Sequence, residues 1–235
     1  MRRPSGLNLE SRPKFAYVAP ADPSIQWLDE FDSYSCNSFP STWSLTYSGA
    51  GSSSQYVDCT VGKPGETPLN SLHLLGQSVN SALAARTFTL AGATSIGYSI
   101  LVMTGTPLAN TNEVACGVSF YVPGSNVAPA RVQFTDNAMI LPANVPYTPG
   151  TWYNVTVTLD LPHNTFDLKI SGADKGAFQA DLNGNGAYLQ SISSLALQSE
   201  HAGRECWFDR ATTFSGTSPP PPPISNVEWQ DGFDS

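Results

Sequence analysis

The feature that most restricts this chain is a rhythm of short runs rich in Val, Ile, Thr, Tyr and Phe, broken by clusters of Gly, Pro, Asn and Ser. Each run is long enough for one strand, and each cluster holds residues that reverse a chain, so the pattern belongs to antiparallel sandwiches and barrels. The candidate strands are Ile25–Phe31, Trp43–Tyr47, Gln55–Val61, Ser71–Leu75, Ala84–Leu90, Ile96–Thr104, Val114–Val122, Ala130–Phe134, Trp152–Leu161, Thr165–Ser171, Leu189–Gln198 and Cys206–Phe214. Alternation is clean in Trp152–Leu159, where Tyr153, Val155, Val157 and Leu159 share one face and Asn154, Thr156 and Thr158 the other. Helical periodicity is nearly absent. Val79–Ala85 is the only helical candidate, and the alternation of Arg86–Leu90 behind it makes it a loop leading into a strand. A length of 235 residues suits one all-β, two-sheet antiparallel sandwich with a core of its own.

Both ends depart from this rhythm. Residues 1–23, with Pro4, Pro13, Pro20 and Pro23, read as an extended arm; the sandwich is expected over 24–215 and a Pro-rich linker over 216–226. Pro219 to Pro223 favour a stiff polyproline II spacer. Beyond it, Val227-Glu228-Trp229-Gln230-Asp231-Gly232-Phe233-Asp234-Ser235 repeats the pattern of Ile25-Gln26-Trp27-Leu28-Asp29-Glu30-Phe31-Asp32-Ser33. Segment 227–235 is either the leading strand of a second repeat or an assembly strand, with Val227, Trp229 and Phe233 offered to a neighbouring subunit.

Charge removes several classes of partner. The net charge is −8, from 11 Lys and Arg against 19 Asp and Glu, and no basic stripe is visible, so nucleic acid and anionic membranes are not expected partners. No apolar run approaches the ~18 residues of a membrane span. The opening MRRPSGLNLESRPKFAYVAP lacks the apolar stretch of a secretory signal peptide. Cys36, Cys59, Cys116 and Cys206 show no zinc-type spacing. Their even number permits the pairs Cys36–Cys59 and Cys116–Cys206, since the first two flank one opening segment; four buried thiols is the other reading.

Trp27-Leu28-Asp29-Glu30-Phe31-Asp32-Ser33-Tyr34, followed by Phe39-Pro40 and Trp43, resembles the start of concanavalin A-like, laminin-G-like jelly-roll domains of bacterial extracellular or virion surface proteins. Gly150–Val155, Asp167–Gly172 and Trp207–Thr212 extend the resemblance over about 25–214. It implies adjacent first and last strands, and a structural calcium ion held by Asp32 and Asp209, with Asp29 as a further ligand. Arg210 departs from that pattern, and its cation could replace the metal by pairing with Asp32.

Catalytic signatures are missing. The Glu-x-Asp-x-x-Glu run of sandwich-type glucanases does not occur, and the only acidic i, i+2 pair in a candidate strand is Glu30 with Asp32. His73, His163 and His201 stand apart from one another, no G-x-S-x-G elbow is present, and Asp181–Gly186 reads as a turn. Asn154-Val155-Thr156 is a glycosylation sequon inside a strand. No enzyme is therefore expected, and a polysaccharide-active enzyme is the third reading, behind the two that follow. The leading expectation is a structural module of an extracellular or virion assembly, linked to copies of itself or to neighbouring subunits. The alternative is a carbohydrate-binding module with polysaccharide as partner, for which Tyr98, Tyr121, Tyr147 and Tyr188 are available as an exposed row.

Overall fold

A computed structural model describes residues 24–47, 54–65, 67–76, 82–90, 92–106, 113–122, 128–180 and 189–216. The arm, the linker beyond Gly216 and the repeat containing Val227, Trp229 and Phe233 lie outside the described residues, as do Tyr188 and Asp181–Gly186.

The strands run in chain order as β1 (Ser24–Asp29), β2 (Ser44–Tyr47), β3 (Gln55–Asp58), β4 (Ser71–Leu75), β5 (Ala82–Thr87), β6 (Ser95–Thr104), β7 (Val114–Tyr121) and β8 (Val132–Thr135). They continue as β9 (Met139–Leu141), β10 (Val145–Pro146), β11 (Tyr153–Asp160), β12 (Thr165–Ile170), β13 (Ala173–Gln179), β14 (Ser194–Ser199) and β15 (Glu205–Ser215). One sheet has the order β13-β12-β11-β6-β15-β4-β3, with β1 also paired to β15; the second is β10-β9-β8-β7-β14-β5-β2. All pairings are antiparallel, and the two sheets face each other as expected of a jelly-roll sandwich.

Alternation sets what lies between the sheets. Ile96, Tyr98, Ile100 and Val102 of β6 and Val155, Val157 and Leu159 of β11 meet Val118 and Phe120 of β7 and Leu195 and Leu197 of β14 in one buried cluster. Tyr98 and Phe120 pack edge to face with centroids 5.2 Å apart. The Tyr98 hydroxyl donates to the carbonyl oxygens of Ala130 (3.0 Å) and Val118 (3.3 Å), which makes burial of a phenol tolerable.

Three strands were not among the sequence candidates. β9 and β10 are too short to show alternation, and β13 is a polar edge strand whose main apolar contact is Phe178 on Phe166. The candidate Leu189–Gln198 divides instead into a 3-10 turn at Leu189–Ser191 and β14, because Leu189 and Ile192 both turn into the core. Ala82–Ala85, part of the helical candidate, lies in β5.

Two disulfides are present, Cys36–Cys59 and Cys116–Cys206. The second joins β7 to β15 across the core over a separation of 90 residues. In the chain-entropy account a closure of that length is worth about 4–5 kcal/mol.

At one end the sandwich is closed by Asp29, the last residue of β1, which is 5% exposed. Its carboxylate accepts hydrogen bonds from the backbone N–H of Phe31 (3.0 Å), the hydroxyl of Tyr34 (2.8 Å), Trp43 Nε1 (2.9 Å) and an Arg86 guanidinium nitrogen (2.5 Å). Arg86 belongs to β5, in the opposite sheet, and also lies over the Trp27 ring at 4.4 Å. Gln26 and Trp27 add side-chain bonds to the backbone of Thr89 and Thr87. Asp29→Ala strands Arg86 in a largely desolvated site and should cost about 3–5 kcal/mol of unfolding free energy, measured by urea denaturation. A loss below ~1 kcal/mol, the range of an exposed pair, would show that this junction does not hold the sheets together.

Candidate functional site

The outward face of the first sheet carries a row of side chains that register alone brings together. Tyr56 of β3 stands opposite His73 of β4, His73 opposite Trp207 of β15, and Trp207 opposite Met103 of β6. The rings of Tyr56 and His73 are 4.9 Å apart at 46°, and those of His73 and Trp207 are 4.9 Å apart at 44°. Trp152, one residue ahead of β11, lies at the level of Met103 and donates from Nε1 to the Gly62 carbonyl at 3.1 Å. His73 is 3% exposed, whereas Tyr56, Trp207, Met103 and Trp152 each keep part of their surface in water.

Two carboxylates border the row. Asp58 accepts from Trp207 Nε1 (3.2 Å) and from the N–H (2.8 Å) and hydroxyl (2.7 Å) of Thr60. Partial burial pushes its carboxyl up, but these donors together with His73 outweigh it and hold the group below the ordinary aspartate value. Glu205 Oε1 is 3.4 Å from His73 Nε2, outside good hydrogen-bond geometry, and both ring nitrogens of His73 are buried without a hydrogen-bond partner. Burial lowers the His73 pKa, and Glu205 and Asp58 offset this only in part. The neutral ring thus forms the floor of the row, with aromatic faces beside it and acceptors at its border.

The residues singled out from sequence are placed elsewhere. Tyr98 is fully buried, Tyr147 is 6% exposed with its hydroxyl bonded to the Thr135 carbonyl, and Tyr121 sits on the other sheet. These tyrosines therefore form no exposed row: Tyr98, at an inward position of β6, and Tyr147, just after β10, are both taken into the core. The expected calcium ligands are not gathered either: among the described residues no three His, Cys, Asp or Glu side chains form a group able to hold a metal. Asp29 is given to Arg86 and its other donors, Asp32 is exposed beyond the end of β1, and buried Asp209 accepts from the Arg210 N–H at 2.7 Å. Arg210 Nε lies 3.9 Å from Glu30. Glu30 and Asp32 are not a strand pair, since β1 stops at Asp29 and Phe31 takes φ 58°. His163 is exposed and paired with Asp160 at 2.8 Å, and His201 is an exposed turn residue with φ 62°.

The row itself was missed. Its signal is an aromatic residue on the polar face of a strand whose inward positions are already filled, as with Trp207 between Cys206 and Phe208, and Tyr56 beside Val57.

No family model matches the chain, and no curated protein sequence matches it. Solved structures do. The catalytic domain of a glycoside hydrolase family 131 protein from Coprinopsis cinerea superposes with a TM-score of 0.57 at 12% identity, covering 83% of this chain and 96% of that one. Domain 4 of AbnA, a GH43 extracellular arabinanase from Geobacillus stearothermophilus solved with arabinotriose, gives 0.52 at 14%, covering 83% and 94%. Lectin II from Ulex europaeus gives 0.51 at 10%, covering 82% and 100%. The chain folds as a concanavalin A-like jelly roll. A sialidase superposes with a TM-score of 0.57 at 12% identity over 84% of this chain, which spans only 19% of that one.

Within the jelly roll, His73 makes the site sensitive to acid. Its unfolded value is 6.5 and its folded value is lower, so below 6.5 the unfolded chain binds more protons than the native one. Stability tied to this ring is complete above that pH and is lost as pH falls toward the folded pKa. Urea midpoints from about pH 7.5 to 5 should show this loss in the native protein and a shallower slope in His73→Phe. Equal slopes would remove His73 as the titrating group.

Proposed function

We propose that this jelly roll is a carbohydrate-binding module whose polysaccharide ligand lies along the Tyr56–His73–Trp207 row. The row is the observation that carries this reading. A pyranose or furanose ring presents C–H groups on its faces and hydroxyls around its rim, so it needs flat apolar partners flanked by acceptors. Aromatic faces supply the first, and the Asp58 and Glu205 carboxylates the second. Support also comes from the fold, shared with a domain solved with arabinotriose and with a plant lectin.

The reading reverses the order expected from sequence, in which a structural assembly module stood first, because the row pairs stacking faces with carboxylate acceptors and the fold is shared with a sugar-bound domain and a lectin. It is a reading of binding rather than turnover. Asp58, held below the ordinary aspartate value, is ionised at neutral pH and unsuited to protonate a glycosidic oxygen. The two disulfides support a place in an oxidising compartment, such as the outside of a cell.

The test is retardation in native gels cast with neutral polysaccharides, followed by titration calorimetry with oligosaccharides of the one that binds. Trp207→Ala should weaken binding roughly tenfold or more, the effect of losing one stacking face, and Trp207→Phe should retain most of it. Tyr121→Ala, on the opposite sheet, should leave binding unchanged. Equal affinity in native and Trp207→Ala protein of unaltered melting temperature would mean that this face is not the site.

A further inference from the structure

The aromatic row runs across the strands and extends past Trp207. Register sets its members on five successive strands: Tyr56 on β3, His73 on β4, Trp207 on β15, Met103 on β6 and Trp152 at the entry to β11. The large aromatic side chains that reach water, Tyr56, Trp207 and Trp152, thus fall on every second strand. Neighbouring strands lie ~4.8 Å apart, which puts these aromatics about 10 Å from one another along the row. The 4.9 Å steps from Tyr56 to His73 and from His73 to Trp207 agree with that spacing. His73, 3% exposed, and the pliable side chain of Met103 fill the floor between them.

A wall follows the row on one side. Segment 58–62 leaves β3 and crosses the outward face of the sheet, held by Trp207 Nε1 donating to Asp58 (3.2 Å), Ser71 Oγ to the Val61 carbonyl (2.5 Å) and Trp152 Nε1 to the Gly62 carbonyl (3.1 Å). The Cys36–Cys59 disulfide anchors it. Row and wall together form a straight track perpendicular to the strands. Charge narrows what it takes: the outward positions two residues to either side of the row include Asp58, Glu205 and Asp209 but no Lys or Arg, and one cation, Lys63, follows the wall. With a net charge of −8 on the chain, an acidic or sulfated polysaccharide would be repelled.

We propose that the ligand of this row is a neutral, extended β-1,4-linked glucan chain, lying across the strands with alternate glucose rings on Tyr56, Trp207 and Trp152. In such a chain every ring substituent is equatorial, so both ring faces carry only C–H groups and the hydroxyls point sideways toward Asp58 and Glu205. Successive rings turn over and each advances by about one strand spacing, ~5 Å. Rings two apart therefore present the same face at the spacing of the three aromatics. A β-1,3- or α-1,4-linked glucan coils instead, and its rings leave a straight track after one or two contacts. This ligand class rests on the carbohydrate reading above and narrows it, with Trp152 as a third stacking residue.

Three glucose hexaoses that differ only in linkage supply the test: cellohexaose (β-1,4), laminarihexaose (β-1,3) and maltohexaose (α-1,4), each titrated calorimetrically into the full-length protein. Cellohexaose should bind on the order of tenfold or more tighter than the other two, and tighter than cellotriose, which spans only two of the three aromatics. Trp152→Ala should weaken cellohexaose about tenfold and cellotriose less than about twofold. Trp152→Phe, which keeps a ring but loses the bond to Gly62, should retain most of the affinity. Laminarihexaose or maltohexaose binding as tightly as cellohexaose would overturn the linkage while leaving the row a sugar site. So would retardation by another polysaccharide with no binding of cellohexaose. If Trp152→Phe loses as much as Trp152→Ala, Trp152 holds the wall rather than the sugar, and the three-ring alignment falls. Failure of every neutral polysaccharide to retard the protein would remove the carbohydrate reading, and this ligand with it.

Discussion

The carboxylate of Asp29 is the point on which the closure of this sandwich turns. A buried carboxylate without partners would carry a desolvation penalty of several kcal/mol, and here it is surrounded by donors from three parts of the chain: the turn at Phe31 and Tyr34, the Trp43 indole, and Arg86 of the facing sheet. Satisfying them all requires β1 to lie beside β15, the 31–43 segment to fold back over the open end, and β5 to present Arg86 inward. The Cys36–Cys59 bridge and the backbone bonds of Asn37 and Ser38 with Val57 then hold that segment against β3. Position and charge are thereby set together.

The placement of β3 has a consequence on the other side of the same sheet. Because Val57 points inward and is completely buried, Tyr56 and Asp58 must point outward, and the ladder with β4 sets Tyr56 against His73. Cys206, fixed in the core by its bond to Cys116, likewise forces Glu205 and Trp207 outward on β15. Inward anchoring of two residues thus delivers the aromatic and acidic side chains of the candidate site. A one-residue slip of either strand would exchange them with the core.

This explains what could be read in the chain and what could not. Strands such as β4, β6, β7 and β11 are legible because burial on one or both faces leaves a dense or alternating apolar pattern in a single run of residues. β13 is not, since an exposed edge strand with Asp174, Lys175 and Gly176 carries no such pattern. The aromatic row is a property of register between strands far apart in the chain: an outward aromatic such as Trp207 or Tyr56 leaves a mark in its own segment, but nothing there shows that both flank His73. Tyr98 and Tyr147 misled for the complementary reason, because a tyrosine shows no sign in sequence of whether its hydroxyl ends on water or on a buried carbonyl.

The first-strand pattern itself admitted two physical solutions. Clustered carboxylates near adjoining first and last strands can be neutralised by a bound divalent cation or by a side-chain cation. A calcium ion would need several oxygens turned toward one point, and the Asp29 oxygens already face Arg86, Trp43 and Tyr34, all of which are donors. A guanidinium suits this position, since one of its nitrogens donates to the Asp29 carboxylate while its central carbon lies over the Trp27 ring at 4.4 Å. Arg86 is also fixed within a strand of the opposite sheet, so the same contact that neutralises Asp29 spans the core. A bound ion at the edge of one sheet would neutralise the charge without tying the two sheets together.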